Sequence, residues 1–251
     1  ARSSDGGYWA HNDSGDLARI FKLATDGSVE GTWNLVGIDA VDFEDMANAP
    51  CADGSSCLVV ADIGNNSRAR DVLLLHRFAE PTTAGAIALI ETTSFRYPDG
   101  NHDAEAVFAT AEAAYVINKN GNQSRLYRVP WNPDQTVTAE LVTTFAEPVT
   151  VTAADLSVDG TRLLVRGYLS IAEFDVSSSF VTGLTTPKYL PFSIDGQGEA
   201  LTYTGSGGGF IAISEATNAG VNLHACVAEP DPEVDAGTDA EITEIADMGD
   251  T

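Results

Sequence analysis

The sequence predicts an all-β chain folded as a β-propeller of about five four-stranded blades, with a six-bladed ring as the structural alternative. Three observations predict it. First, four stretches carry an acidic residue in the same kind of apolar strand: Asp42-Phe43-Glu44-Asp45-Met46-Ala47, Asp103-Ala104-Glu105-Ala106-Val107-Phe108, Ala153-Ala154-Asp155-Leu156-Ser157-Val158 and Gly198-Glu199-Ala200-Leu201-Thr202-Tyr203. They recur at roughly 45 to 60 residues, a period expected of propeller blades. Second, Asp-Gly, Asn-Gly, Gly-Gly and Pro punctuate nearly every short apolar run, the chemistry of tight turns between strands. Third, no window sustains a helical period over the length of an ordinary helix.

The strands can be laid out in order. The first unit reads 8–11, 18–23 and 31–36 as its second, third and fourth strands, so the N-terminal blade is incomplete and its innermost strand is expected upstream of Ala1. The second reads 41–47, 57–62, 72–78 and 87–97. The third reads 104–109, 114–118, 125–129 and 136–145, and the fourth 151–158, 162–168, 171–175 and 188–192. The last begins at Glu199, continues through 209–214 and 221–227, and lacks an outer strand.

Composition sets the boundaries of function. The chain has 251 residues, 43% of them hydrophobic, enough for one domain with a real core. We place the propeller at 1–227. Residues 228–251 read as an acidic spacer or tail, because Glu229, Asp231, Glu233, Asp235, Asp239, Glu241, Glu244, Asp247 and Asp250 stand there without Lys or Arg. Such a segment has too little apolar surface to offset its ordering entropy. The formal net charge of −24 disfavours nucleic acid and anionic membranes as partners, and leaves cations, small neutral ligands and basic partners. No apolar run approaches the ~20 residues of a membrane-spanning helix. With neither an initiator Met nor a secretory segment, the chain reads as a mature or truncated product, with any surface anchoring outside it. Cys51 and Cys57 enclose Ala-Asp-Gly-Ser-Ser between two strands, the pattern of a local disulfide in an oxidising compartment. Cys226 is left without a partner in the chain.

In a propeller, the starts of innermost strands and the ends of second strands converge on one mouth of the central channel. Those are the polar places here. The first set supplies Glu44, Glu105, Asp155 and Glu199, the second His11, Asn12 and Asp13; Asp62, Asn65 and Asn66; Asn118 and Lys119; Arg166 and Tyr168; and Ser214 and Glu215. Carboxylates gathered round a narrow axis raise one another's pKa and require compensation. Three kinds are available: a calcium ion on Glu44, Asp62, Glu105, Asp155 and Glu199, since calcium takes six to eight oxygen ligands; an ion-pair network with Lys119, Arg166 and His11; or backbone amides of the next blade, a purely structural lock. Asn12, Asp13, Asn65, Asn118, Tyr168 and Glu215 are the candidates for contacting a small ligand. No nucleophile elbow, P-loop or HExxH motif is present.

The run Trp9-Ala10-His11-Asn12-Asp13-Ser14-Gly15-Asp16, the segment 42–47 and Val60-Ala61-Asp62-Ile63-Gly64-Asn65-Asn66 resemble the secreted bacterial propellers grouped with phytase-like and esterase-like proteins, lipid-anchored relatives among them. The resemblance extends through Tyr97-Pro98-Asp99-Gly100, Asn118-Lys119, 152–157 and Gly198-Glu199-Ala200, covering about residues 1 to 227. It implies an extracellular or cell-envelope setting and several metal ions on the channel face. Phytases of that group add a basic cluster; in this chain Lys119 and Arg166 are the clear counterparts, with Arg68 and Arg70 just beyond a strand. The leading expectation is a surface binding or scaffold module with a calcium-binding channel mouth. The alternative is metal-assisted hydrolysis of a phosphate or carboxylic ester, with His11, Lys119 and Arg166 as catalytic candidates.

Overall fold

The computed structural model describes residues 1–225 except 84, 147, 193–196, 206–207 and 215–221. The expected tail at 228–251, Cys226 and Glu215 lie outside the described residues. The rest is a β-propeller. Blade 1 comprises β1 (Tyr8–Ala10), β2 (Arg19–Leu23) and β3 (Val29–Val36); blade 2, β4 (Phe43–Pro50), β5 (Ser56–Asp62), β6 (Leu73–Ala79) and β7 (Ile87–Arg96). Blade 3 holds β8 (Ala104–Ala109), β9 (Ala113–Asn118), β10 (Ser124–Pro130) and β12 (Glu140–Phe145), with the two-residue β11 (Val137–Thr138) before its last strand. Blade 4 holds β13 (Val151–Leu156), β14 (Arg162–Gly167), β15 (Ile171–Asp175) and β16 (Lys188–Leu190), and blade 5 holds β17 (Gly198–Tyr203), β18 (Gly209–Ser214) and β19 (Asn222–Ala225).

Within each blade consecutive strands pair antiparallel. The innermost strands β4, β8, β13 and β17 are neighbours in that order. They read as near-continuous small and apolar residues because both of their faces are covered: every residue of β8 is buried, and so is β13 up to Asp155. Outer strands alternate instead, as in β7, which has water on one face.

Side chains from adjacent blades interdigitate to close the junctions. Trp9, Ile20 and Trp33 of blade 1 meet Phe43, Leu58 and Phe78 of blade 2. Val59, Leu75 and Phe95 of blade 2 meet Val107, Val116 and Tyr127 of blade 3. Phe108, Ile117 and Leu126 pack on Val151, Leu163 and Val165 of blade 4, and Leu164 and Ile171 pack on Leu201, Tyr203 and Phe210 of blade 5.

Two details differ from the sequence expectation. The expected strand 136–145 is divided: Val137–Thr138 pairs parallel with Phe95–Arg96 of blade 2, whereas 140–145 stays with β10. Buried Ala139 makes the changeover, donating its N–H to the Arg96 carbonyl at 2.8 Å. A single helical turn, α1 (Phe180–Gly183), stands before β16, capped by the Ser179 hydroxyl on the Thr182 N–H.

Cys51 and Cys57 form the disulfide, with Cα atoms 5.2 Å apart, across the β4–β5 hairpin. Cys57 is fully buried. Because the bond closes a short loop, replacing both cysteines by Ser is expected to cost about 2 kcal/mol in urea unfolding. A loss below about 0.5 kcal/mol would mean that the hairpin holds this geometry unaided.

Candidate functional site

Each inner strand begins with a bulge, one extra residue that slips the pairing with the second strand. The extra residues are Glu44, Glu105, Thr152 and Glu199. A bulge bends the strand and re-aims a side chain, and here it occurs at the channel mouth. The equivalent of Glu44 in blade 4 is therefore Thr152, not Asp155. That corrects the sequence alignment of the four acids: Asp155 lies three residues further along β13, and Thr152 is buried and donates to the Gly198 carbonyl at 2.6 Å.

The acids accordingly divide into two groups. Asp155 and Asp45 tie inner strands together. One Asp155 oxygen accepts the Tyr203 N–H at 2.8 Å and the Thr202 hydroxyl at 2.9 Å, and pairs with the Arg2 guanidinium. Asp45, buried beside the bulge, accepts from its own strand at Met46 (2.8 Å), from Val107 of β8 (2.8 Å) and from Ala154 of β13 (3.4 Å). Burial pushes the Asp45 carboxyl up to about 8 although these amides favour its ionised form. In the sequence Asp45 stands only as the residue after Glu44 in the repeated stretch. No local signal separates it from Glu44, because the bulge at Glu44 interrupts the two-residue alternation of the strand.

The second group faces the mouth. Glu44 belongs to two carboxylate triads, Asp13–Asp42–Glu44 and Glu44–Asp103–Glu105, each with its oxygens within 4.8 Å of one another. Gly64 runs directly beneath the Glu44 and Asp42 carboxylates, where any Cβ would collide with them. Burial drives Glu44 up to about 10, and repulsion from Glu105, Asp13, Asp42 and Asp103 adds to it. Glu105 is only 4% exposed. Lys119 bonds its Oε1, while Oε2 is buried with no hydrogen-bond partner among the described residues. Burial outweighs Lys119 and pushes Glu105 up to about 7. Glu199 is close enough to add to that repulsion and lines the adjoining cleft.

The other candidates are placed as follows. Asp62 is fully buried and committed to structure: Arg70 bonds it at 2.7 Å, and the Val41 and Asp42 amides donate to it. Asn65 clips its own loop through both main-chain groups of Arg70, and Asn118 accepts from the Arg125 N–H at 2.6 Å. Both amides are buried. Asn12 is exposed and bonded to Asp16. His11 bonds the Asn12 carbonyl and stands edge-on to Phe43, with burial lowering its pKa. The Lys119 ammonium sits 5.2 Å from the centre of the Tyr168 ring. Arg166, expected to meet an anionic ligand, is instead fully buried beneath Gly198, donating to the carbonyls of Ala200 and Ile213 at 3.2 and 3.3 Å. It clips blade 4 to blade 5.

Between blade 5 and blade 1 lies a cleft of about 1210 Å³, with His11, Asp13, Glu44 and Glu199 at its polar end and Phe21, Leu23, Ile211 and Ile213 along its walls.

No family model matches the sequence, and no curated protein matches it. Among solved structures, similar chains include a putative 6-phosphogluconolactonase from Bacteroides uniformis (16% identity, 89% of this chain and 68% of that one, TM-score 0.45). Others are the Dos1 propeller (10% identity, 84% of this chain and 55% of that one, TM-score 0.38) and hydrazine synthase of Kuenenia stuttgartiensis (12% identity, 71% and 45%, TM-score 0.42). The chain thus spans about half the length of the latter two. No helix among the described residues is long and apolar enough to cross a membrane.

Proposed function

We propose that the protein is a calcium-dependent binding module that works outside the cell, with the ion held at the channel mouth by Glu44 and its carboxylate neighbours Asp13, Asp42, Asp103 and Glu105. The observation that carries this reading is Glu44 itself, shared by two triads and lacking a cationic side chain among its described hydrogen-bond and ion-pair partners. The unpartnered Glu105 Oε2 beside it supports the same reading. All of the donors are carboxylate oxygens, the chemistry a hard divalent cation requires. Asp62 and Asp155 have left this set for structural partners.

Binding is favoured over hydrolysis because the two cations expected to hold an anionic substrate are already engaged, Lys119 by Glu105 and Arg166 by blade 5 carbonyls. The extracellular setting is supported by the Cys51–Cys57 disulfide.

Calcium added at 100 times its dissociation constant is expected to stabilise the fold by ~2.7 kcal/mol, measured by calorimetric melting. Glu44→Gln should abolish the response while leaving a cooperative melt, and Gly64→Ala, which puts a methyl group under the cluster, should weaken it. An unchanged melting temperature at millimolar calcium would defeat the reading.

A further inference from the structure

We infer that the cleft between blade 5 and blade 1 is a binding slot for a neutral amphiphile, with two adjacent hydroxyl groups on the calcium at the channel mouth and an apolar chain along the walls. The inference rests on the calcium reading above and adds the class of ligand. Every other junction between consecutive blades is closed by a shared apolar cluster. Here apolar side chains of two blades line a common space instead. On blade 1, Tyr8 is paired with Leu23 and Ala10 with Phe21, and all four are half-buried, while the alternate residues Trp9 and Ile20 are buried against blade 2. On blade 5, Ala200 and Ile213 are paired and half-buried, while Leu201, Phe210 and Ala212 pack on blade 4. From His11 at the mouth to Tyr8 is a short run of strand, about 10 Å, the reach of a medium-length alkyl chain.

The head group follows from what stands at the mouth end. Asp13 and Glu44 line the cleft and, with Asp42, make up one of the two carboxylate triads. One oxygen from each leaves about three to five of the oxygen positions that calcium takes. Charge decides what fills them. Three carboxylates outweigh one calcium ion, and Arg19, the Arg or Lys side chain lining the cleft among the described residues, is held by Asp16 at 2.8 Å and lies over the Phe21 ring. An anionic head is therefore repelled, and an ammonium has no lone pair to give the ion. A hydroxyl is neutral, offers lone pairs to calcium and donates its proton to a carboxylate oxygen. Two of them on adjacent carbons fill two neighbouring positions together. Ser214 lines the same end, 7% exposed and with its hydroxyl unpartnered among the described residues, and gives the head a further hydrogen-bonding group. Sugars and glycerol lipids share this vicinal diol.

The test is calorimetric titration of the full chain at pH 8, in saturating calcium and again in EDTA, with 1,2-octanediol, 1-octanol and octanoate as probes. In calcium the diol is expected to bind roughly tenfold more tightly than the other two, and in EDTA its advantage over octanol should vanish. Leu23→Asp on one wall and Ile213→Asp on the other should each weaken the diol roughly tenfold by setting a charge against the alkyl chain, with thermal melting confirming that each variant is folded. If one variant fails to fold, the other suffices. Octyl glucoside and monooctanoylglycerol should both bind more tightly than octanol, and the tighter of the two identifies the head as a sugar or a glycerol lipid. Octanol or octanoate equal to the diol in calcium, a diol advantage that survives EDTA, or affinity indifferent to both walls would overturn the proposal. A calcium-induced rise in melting temperature without diol binding would remove the slot and leave the cation, whereas no rise would remove both.

Discussion

Replacing Asp45 by Ala is expected to destabilise the fold by about 3 to 5 kcal/mol, far more than replacing an acid that faces the mouth. The carboxylate accepts main-chain N–H groups from three inner strands, at Met46, Val107 and Ala154. Alanine leaves those donors facing apolar surroundings, and an orphaned buried donor costs about 1 to 3 kcal/mol. Val107 and Ala154 are both buried, so water cannot readily substitute. Asp45→Asn keeps one acceptor oxygen and should cost about half as much. Against a typical domain stability of about 5 to 15 kcal/mol, the Ala variant should shift the urea midpoint without changing the slope. At pH 5, Glu44→Gln, whose side chain faces the mouth, should change the unfolding free energy by no more than about 1 kcal/mol. A loss below about 1 kcal/mol for Asp45→Ala would mean that blade packing alone holds the inner strands in place.

What the sequence disclosed and what it concealed follow from the range of the interactions. Blade strands were legible because their signals are local: turns, alternation and an acid near each inner-strand start. The acid at Glu44, Glu105 and Glu199 marks a bulge, but in blade 4 the bulged residue is Thr152 and the nearest acid, Asp155, lies three residues on. Nothing local distinguishes an acid that faces the mouth from one that reaches the next strand; Asp155 is settled by Tyr203, 48 residues away. Arg166 misled for the same reason. An arginine at the end of an apolar strand reads as a ligand contact until the glycine opposite, Gly198, is seen to make room for it. The division of 136–145 depends on Arg96, on another blade. The four-residue α1 is shorter than any periodicity that a window could register.

Without a divalent cation, the protein should lose stability as pH rises from about 5 to about 9, the reverse of the acid lability common in proteins with ion-paired carboxylates. The folded state raises Glu105 to about 7, Asp45 to about 8 and Glu44 to about 10, chiefly by burial. In the unfolded chain all three ionise near pH 4. Between these limits the native state binds more protons than the unfolded state, so unfolding free energy falls with pH. The contribution is complete below the unfolded values and is lost as pH passes through the folded ones. A tenfold gain in one carboxylate's proton affinity on folding corresponds to about 1.4 kcal/mol, which sets the smallest loss expected in urea titrations at the two ends of this range. Calcium acts in the opposite direction, because a cation binds the ionised cluster. Its stabilisation should therefore grow with pH and flatten the profile. Glu44→Gln, which has no proton to exchange at this site, should reduce both the slope of the calcium-free profile and the effect of calcium on it. A calcium-free profile that rises toward pH 9 would mean that the mouth carboxylates are already compensated within the chain, and the case for a cation there would lose its electrostatic basis.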